Sequence, residues 1–202
     1  MKERKSQQDR KAEILQASLD LAFEAGPDRL TTGMIADRLG LTQPAIYKHF
    51  KNKEDIWQGV ANSLCDQILA NIVKSGESSP TPDSRIRKLV LGHLRLVQVN
   101  PALPQIMVMR DPTEAQSASL TQIRASMSKF REELLDTIRQ AQAARQLRAD
   151  ISASDIAALI FGIIQGLALR LLLTRDPEIL LREGERLLDL QLSLLTSEGD
   201  SI

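Results

Sequence analysis

Residues 31–53 read TTGMIADRLGLTQPAIYKHFKNK, and this stretch decides the fold of the amino-terminal region. The paired threonines can cap a short helix that ends at Gly40, and Thr42 can cap a second one. Pro44 is tolerated there because first-turn amides have no helical acceptor. Two short helices joined by a tight turn are typical of a helix-turn-helix unit. We expect six apolar residues to hold this unit against a preceding helix: Ile35, Ala36, Leu39, Leu41, Ile46 and Phe50.

Apolar residues recur at helical spacing through almost the whole chain, and no segment alternates as a strand would. A first helix is expected at about 7–25, and a long fourth helix opens after Asn52. SGESSPTPDS at 75–84 is the clearest linker. Beyond it we expect helices at about 84–99, 101–109, 114–146, 153–174 and 177–197. The prediction is an all-α protein of about nine helices, with an amino-terminal three-helix domain over 1–52 and a carboxy-terminal helical domain over 53–202.

The composition is that of a soluble globular protein, with 43% hydrophobic and 26% charged residues. Residues 1–53 hold ten Lys and Arg against seven Asp and Glu, whereas the rest holds sixteen against nineteen. This modest asymmetry suits a small basic module but does not by itself establish nucleic-acid binding. The longest apolar run, IAALIFGII at 156–164, is shorter than the roughly 18 residues of a membrane span. The polar amino terminus has no secretory signal, and the single Cys65 excludes an internal disulfide, so we expect a cytoplasmic protein.

The second short helix is expected to expose side chains that suit a DNA groove. Gln43 can bond an adenine edge through two hydrogen bonds, and Pro44 and Ala45 can contact thymine methyl groups. Around them lie side chains that can bond phosphates. The less specific alternative is an ordinary surface helix, with Tyr47 half-buried and His49 a solvated histidine. The candidate phosphate contacts are Thr32, Thr42, Tyr47, His49 and Lys53.

The stretch TTGMIADRLGLTQPAIYKHFKNKEDIW at 31–57 resembles the DNA-binding domain of the TetR-type transcriptional regulators, a likeness that covers about residues 10–60. The double threonine, IA, LG, the ending aromatic-x-His-Phe and the lysine before the fourth helix fall at the family's spacing. The resemblance implies base reading by Gln43, Pro44, Ala45 and Lys48. It implies phosphate anchoring by the five residues named above. Gly33 departs from the bulkier or basic residue common at that position, which puts a base contact there in doubt.

The last two predicted helices carry more apolar surface than one chain of this size can bury. Helix 153–174 is apolar nearly all round, and helix 177–197 is leucine-rich. Small residues on the first of them permit close helix approach: Ala157, Ala158, Gly162, Gly166 and Ala168. We expect a homodimer through a four-helix bundle of these helices and their symmetry mates, as the resemblance also implies. The alternative is an ordinary intramolecular core. Two recognition helices related by a two-fold axis would read a palindromic operator.

The resemblance further implies that the middle helices, about 84–146, enclose a small-molecule effector. Only two of the six aromatic residues lie beyond residue 57, which favours an aliphatic or flexible effector over a flat aromatic drug. Nothing in this half resembles the drug and magnesium ligands of the family's namesake. Gln98, Gln165 and Arg170 are polar residues in apolar surroundings and need partners. Each expected lining residue could also be simple core: Leu96, Leu103, Met107, Met109, Met127, Phe130, Phe161 and Gln165.

Patterns that would indicate catalysis are missing from the sequence. It has no glycine-rich phosphate loop, no nucleophile elbow and no HExxH motif. Two histidines and one cysteine cannot build a usual zinc site. We therefore predict no enzyme, no metal and no cofactor. The function predicted is a sequence-specific DNA-binding regulator, a repressor released from its operator by an unidentified effector. The alternatives are an effector-independent DNA-binding protein and a helical interaction protein.

Overall fold

The structure is a computed structural model, and it describes residues 6–108 and 114–196. Within those two ranges the chain forms nine α-helices and no strand, and the all-α prediction is confirmed. A short 3-10 turn, Pro27–Arg29, follows the first helix. The helices are α1 (Gln7–Ala25), α2 (Thr32–Leu39), α3 (Gln43–Tyr47), α4 (Lys53–Glu77), α5 (Pro82–Val99), α6 (Leu103–Met107), α7 (Glu114–Ala143), α8 (Ala153–Thr174) and α9 (Ile179–Leu195).

The chain divides into two compact units. The first contains α1–α3, α4 as far as Cys65, α6, and α7 as far as Arg124. The second contains the rest of α4 and α7 together with α5, α8 and α9. The domain boundary expected between residues 52 and 53 stays a prediction.

In the first unit, α1–α3 pack around a core of apolar side chains. Ser6 and Asp9 form a capping box that starts α1, and Thr31 caps α2 by accepting a hydrogen bond from the Met34 amide (3.2 Å). Gly40 ends α2 in the left-handed conformation (φ 63°), which a side chain would strain. The core residues Ile14, Ile35 and Ile46 are fully buried, Phe50 is buried as predicted, and Trp57 is buried too.

The connection between α4 and α5 is shorter than the sequence indicates. The predicted linker began at residue 75, but α4 continues to Glu77 and leaves only residues 78–81 between the helices. The hydroxyl of Ser75 donates to the Ile72 carbonyl (2.8 Å), and that of Ser78 donates to the Lys74 carbonyl (2.6 Å). These bonds to the preceding turn satisfy the two serine hydroxyls at the end of the helix, in a segment whose composition suggests a loop.

Other helix ends also differ from the prediction by a few residues. Pro101 and Pro177 were expected as first helical residues, but both lie in turns before helices that begin at Leu103 and Ile179. At the start of α6 the Leu103 amide donates to the Asn100 carbonyl (3.0 Å), which closes a turn before the helix. At the other end, α7 stops because Arg145 adopts a left-handed conformation (φ 55°).

In the second unit, α9 packs against α8 and α5. Leu167 and Leu171 of α8 and Leu188 of α9 are buried. Gly184 permits the close approach of α9 to α5, because a Cβ there would lie 2.3 Å from Leu94 Cδ1. At the edge of this contact, Arg87 of α5 binds Asp189 of α9 (2.9 Å).

By length and composition alone, α8 is apolar enough to cross a membrane. The core helix of a soluble protein can have the same length and composition, so α8 alone does not indicate a membrane span. In the single chain, part of the apolar surface of α8 is exposed to solvent, notably at Leu159, Leu169 and Leu173.

Candidate nucleic-acid interface

One side of α3 is anchored in the core and the other is exposed. Ile46 is fully buried, which fixes the rotation of this short helix against α1 and α2. Gln43, Pro44 and Lys48 are exposed, and Ala45 is half-buried. The predicted base-reading set therefore lies on or beside the exposed face of α3.

The start of α3 keeps its polar groups available. Thr42 occupies the N-cap position, but its side chain forms no capping hydrogen bond. Its carbonyl accepts hydrogen bonds from the Ala45 and Ile46 amides (2.9 and 3.3 Å). The threonine hydroxyl can therefore donate to a phosphate without disturbing the helix.

Two of the residues predicted to contact phosphates form a hydrogen bond with each other. The hydroxyls of Thr32 and Tyr47 are 3.2 Å apart, and either can be the donor. Thr32 is buried (9% exposed), whereas Tyr47 is 47% exposed. Tyr47 is thus exposed, not half-buried, although its hydroxyl reaches Thr32 at the start of α2.

His49 and Lys53 lie at the other end of α3. The Nδ1 atom of His49 is buried and has no hydrogen-bond partner in the part of the chain that the structure describes. A buried nitrogen cannot reach DNA, so a phosphate contact by His49 has to use Nε2. Lys53 is the first residue of α4, next to Asn52, whose side chain accepts a hydrogen bond from the Asp55 amide (2.8 Å). The positive end of the helix dipole adds to the charge of Lys53.

The charges near this face favour an anion. Lys48 and Lys51 are exposed, and Lys53 is partly exposed. Arg38 is engaged elsewhere, because its guanidinium binds the Glu24 carboxylate (3.0 Å). That hydrogen bond from Arg38 lowers the pKa of Glu24. The three lysines are therefore the cations that α3 and the start of α4 can offer to phosphates.

A second exposed surface lies between α8 and α9. It is an almost wholly apolar groove of about 550 Å³, and its floor includes Gly162 and Gly166. Apart from the neighbouring backbone of α8 itself, no atom of the described residues lies within 4 Å of where a Cβ would stand on either glycine. Two polar residues also line the groove, Arg170 and Gln191, and the Oε1 atom of Gln191 is buried without a donor among the described residues.

The expected effector-lining residues are distributed between the two units. Leu103 and Met107 lie on α6 in the first unit, and Met109 lies outside the described residues. The other five lie in the second unit, where Phe130 and Phe161 form an edge-to-face contact with ring centroids 6.0 Å apart. Phe130 and Leu96 are buried and Met127 is half-buried, whereas Gln165 is exposed. Leu96 also lines a smaller groove between α4 and α5.

His93 is buried in α5, although the sequence led us to consider it only as a possible zinc ligand. Its ring stacks on Phe130 with centroids 4.6 Å apart, and its Nδ1 atom has no hydrogen-bond partner among the described residues. Burial lowers the pKa of His93 to about 4. The helical spacing of His93 with Leu89, Leu96 and Val97 on α5 is the signal that could have placed it inside.

Comparisons with known proteins agree with this arrangement. Residues 14–60 match the model of the bacterial regulatory proteins of the tetR family, and residues 110–183 match the tetracyclin repressor-like carboxy-terminal domain. Together these two matches cover more than half of the chain.

Individual proteins are similar over different lengths. The class A tetracycline repressor protein from transposon 1721 of Escherichia coli is 38% identical over 82 residues, which are 41% of this chain and 35% of that protein. The nucleoid occlusion factor SlmA of Marinomonas sp. (strain MWYL1) is 24% identical over 161 residues, covering 78% of this chain and 80% of that protein. Among solved structures, the transcriptional regulator FadR from Bacillus subtilis, in complex with stearoyl-CoA, has a TM-score of 0.68 at 17% identity and covers 90% of this chain and 97% of that one.

The amino-terminal match contains both helices of the helix-turn-helix unit, α2 and α3. The outer face of α3, the expected recognition helix, is exposed. The carboxy-terminal match contains α7 and α8. The chain belongs to the TetR family of bacterial regulatory proteins, and it is a DNA-binding transcriptional regulator.

Proposed function

We propose that the chain is a homodimeric repressor that binds a palindromic operator and is released by an aliphatic small-molecule effector. TetR-family regulators bind operator DNA, act as dimers and bind small-molecule effectors, and they are generally not enzymes. The observation that carries the proposal is the exposed face of α3, where Gln43, Pro44 and Lys48 stand clear of the core. The proposed place of action is the cytoplasm, with residues 1–52 as the DNA-binding module.

Each side chain of this surface has a proposed role. Gln43 reads an adenine edge, Pro44 and Ala45 contact thymine methyl groups, and Lys48 bonds a guanine edge. The remaining five residues bind phosphates on either side of these bases, and their contacts fix the position of the protein on the duplex without reading sequence. These residues are Thr32, Thr42, Tyr47, His49 and Lys53.

The groove between α8 and α9 supports the dimer. Its apolar lining and its two uncovered glycines give a second copy of the same helices room to pack. In a two-fold interface, Arg170 of one copy can donate to Gln191 of the other, and the reverse pair forms by symmetry. Such reciprocal polar contacts would fix the register of the bundle. A permanent interface of this kind buries about 2,000 Å² or more.

An aliphatic effector is favoured by the composition of the second unit. Phe130 and Phe161 already contact each other, and Phe130 also stacks on His93. Little aromatic surface is left in this unit to stack a flat drug. The structural likeness to a regulator that holds stearoyl-CoA supports the same class of ligand. We expect the five lining residues of the second unit to contact the acyl or alkyl part of the effector.

The first experiment tests DNA binding. Fluorescence anisotropy of the purified protein would be measured with a labelled duplex from upstream of its own gene and with a shuffled duplex of equal length. We expect a preference of about 10³-fold or more for the upstream duplex at physiological salt. Equal affinity for both duplexes would reject the proposed repressor.

The second experiment tests release. The protein–operator complex would be titrated with stearoyl-CoA, with stearate, with free CoA and with tetracycline plus magnesium. Release by an acyl compound, with no release by free CoA or tetracycline, is the expected result. If only tetracycline acts, the aliphatic assignment is wrong.

A second candidate function is effector-independent DNA binding. The similarity to a nucleoid occlusion factor over 78% of this chain favours it, because that alignment extends well beyond the helix-turn-helix unit. This candidate predicts many chromosomal binding sites and no release by any ligand of the panel. Mapping of the bound sites by chromatin immunoprecipitation would separate the two, since the proposed repressor would occupy few promoters.

A further inference from the structure

Gly33 lies directly beside the base-reading Gln43. A Cβ built on Gly33 would lie 2.8 Å from Gln43 Nε2 and 3.9 Å from Gln43 Cδ. Gly33 belongs to the first turn of α2, and Gln43 is the first residue of α3. The carboxamide of Gln43 therefore occupies the space that any other residue at position 33 would fill.

The backbone does not require glycine at this position. The residues with positive φ include Gly26 and Gly40, and Gly33 is not among them. In a helix, glycine is less stable than alanine by roughly 0.5–1 kcal/mol. Gly33 gives no conformational freedom that α2 uses, and an alanine there would not weaken the helix. What it provides is room for the neighbouring side chain.

We propose that Gly33 is a positioning residue that determines DNA specificity by leaving room for the Gln43 carboxamide to lie across the start of α2. This inference rests on the proposed function, in which Gln43 reads a base. Two hydrogen bonds to one adenine form only when the amide oxygen and nitrogen both face the base edge. A carboxamide seated over Gly33 has fewer orientations available than one on an open helix, so less entropy is lost on binding. The space is bounded on another side by Thr31, whose Oγ1 lies 3.7 Å from the same Cβ position.

The effect of filling this space follows from which atom would move. Nε2 is the far end of a flexible side chain, so Gln43 can swing away from an alanine methyl group without disturbing either helix. Gly33→Ala should therefore leave the fold intact, and it should raise the helical stability of α2. At the same time it should displace the carboxamide from its position. Stability and base preference are expected to change in opposite directions, which a purely structural role of Gly33 does not predict.

The experiment is a double-mutant cycle read out as base preference. Dissociation constants would be measured for the wild type, Gly33→Ala, Gln43→Ala and the double variant. The DNA would be a set of operator duplexes in which each base pair of the half-site is replaced in turn, with melting temperatures recorded in parallel. Wild type and Gln43→Ala together identify the base pair that Gln43 reads. We expect Gly33→Ala to reduce discrimination at that base pair about tenfold and to leave the other positions unchanged.

In the Gln43→Ala background, the Gly33→Ala change should have no effect on base preference. Wild-type discrimination by Gly33→Ala would overturn the inference and leave the proposed function intact. An effect that persists without Gln43 would also overturn it, as would a lowered melting temperature of Gly33→Ala. A wild type without any base preference would instead reject the proposed function, and this inference with it.

Discussion

The hydroxyl of Thr32, the first residue of α2, lies 3.2 Å from the hydroxyl of Tyr47, the last residue of α3. One of the two donates to the other, and the accepting hydroxyl keeps its own hydrogen for a further bond. The pair therefore joins the two helices and still offers one O–H outward. A phosphate oxygen at this position would complete the chain of hydrogen bonds.

Tyr47→Phe tests the role of this pair. The variant keeps the ring but loses the hydroxyl, so affinity should fall about fivefold for each copy, or about 25-fold for a dimer, and for all DNA sequences alike. The salt dependence of binding should not change, because no charge is removed. Anisotropy titrations at several salt concentrations would measure both. An altered base preference would show that Tyr47 reads sequence and does not anchor a phosphate.

Lys53→Ala should differ from Tyr47→Phe in its salt dependence. Loss of one phosphate contact in each copy of a dimer should reduce the slope of log K against log salt concentration by about two. Lys74→Ala is the matched control, since Lys74 lies on the same helix about 30 Å further along its axis. If both lysine variants keep the wild-type salt dependence, Lys53 does not contact a phosphate.

The apolar groove between α8 and α9 can be tested with two substitutions that a single chain should tolerate. Leu194 is 68% exposed, and nothing lies within 4 Å of a Cβ at Gly166. Leu194→Glu would bury a charge in the dimer, and Gly166→Leu would fill the space that the second copy needs. Sedimentation analysis should give dimers for the wild type and a mass near 22.4 kDa for both variants.

Val73→Glu is the control for these two variants, because Val73 is exposed on α4 and does not line the groove. It should remain dimeric. Dimers formed by all three variants would show that the two copies meet through another surface.

His93 should make the stability of the protein depend on pH. Burial lowers its pKa to about 4 in the folded chain, from an ordinary value of 6.5. Between those values the unfolded chain binds the proton more strongly, so stability is present above pH 6.5 and is lost as the pH falls towards 4. From pH 7.5 to 5 this group alone should remove about 2 kcal/mol of unfolding free energy.

Urea denaturation at the two pH values would measure the loss. His93→Leu should reduce the difference by that amount. If His93→Leu keeps the full pH dependence, another group is responsible for it.

The amino-terminal fold could be predicted from sequence because its signals are local. Thr31 caps α2, Gly40 ends it in the left-handed conformation, and α1 has the predicted bounds. Features that depend on atoms distant in sequence could not be predicted in this way. The contact of Gln43 with the space over Gly33 depends on how α2 and α3 pack, and spacing alone does not specify it.

Some helix ends were also predicted wrongly from composition. Ser75 lies inside α4 and Ser78 directly follows it, each with its hydroxyl bonded to the preceding turn, although serine and glycine at 75–78 suggest a loop. The exposure of Gln165 was not foreseeable either, because an apolar helix does not reveal which of its faces a second helix covers. The DNA contacts and the effector pocket stay predictions.

We propose that two copies of the chain place their α3 helices in adjacent turns of one duplex. Sedimentation of the protein bound to its operator would be combined with hydroxyl-radical footprinting of the same complex. We expect two chains for each duplex and two symmetric protected half-sites whose centres lie about 34–36 Å apart, or slightly more. One chain on a single unsymmetrical site would show that the protein does not bind DNA as a dimer of this kind.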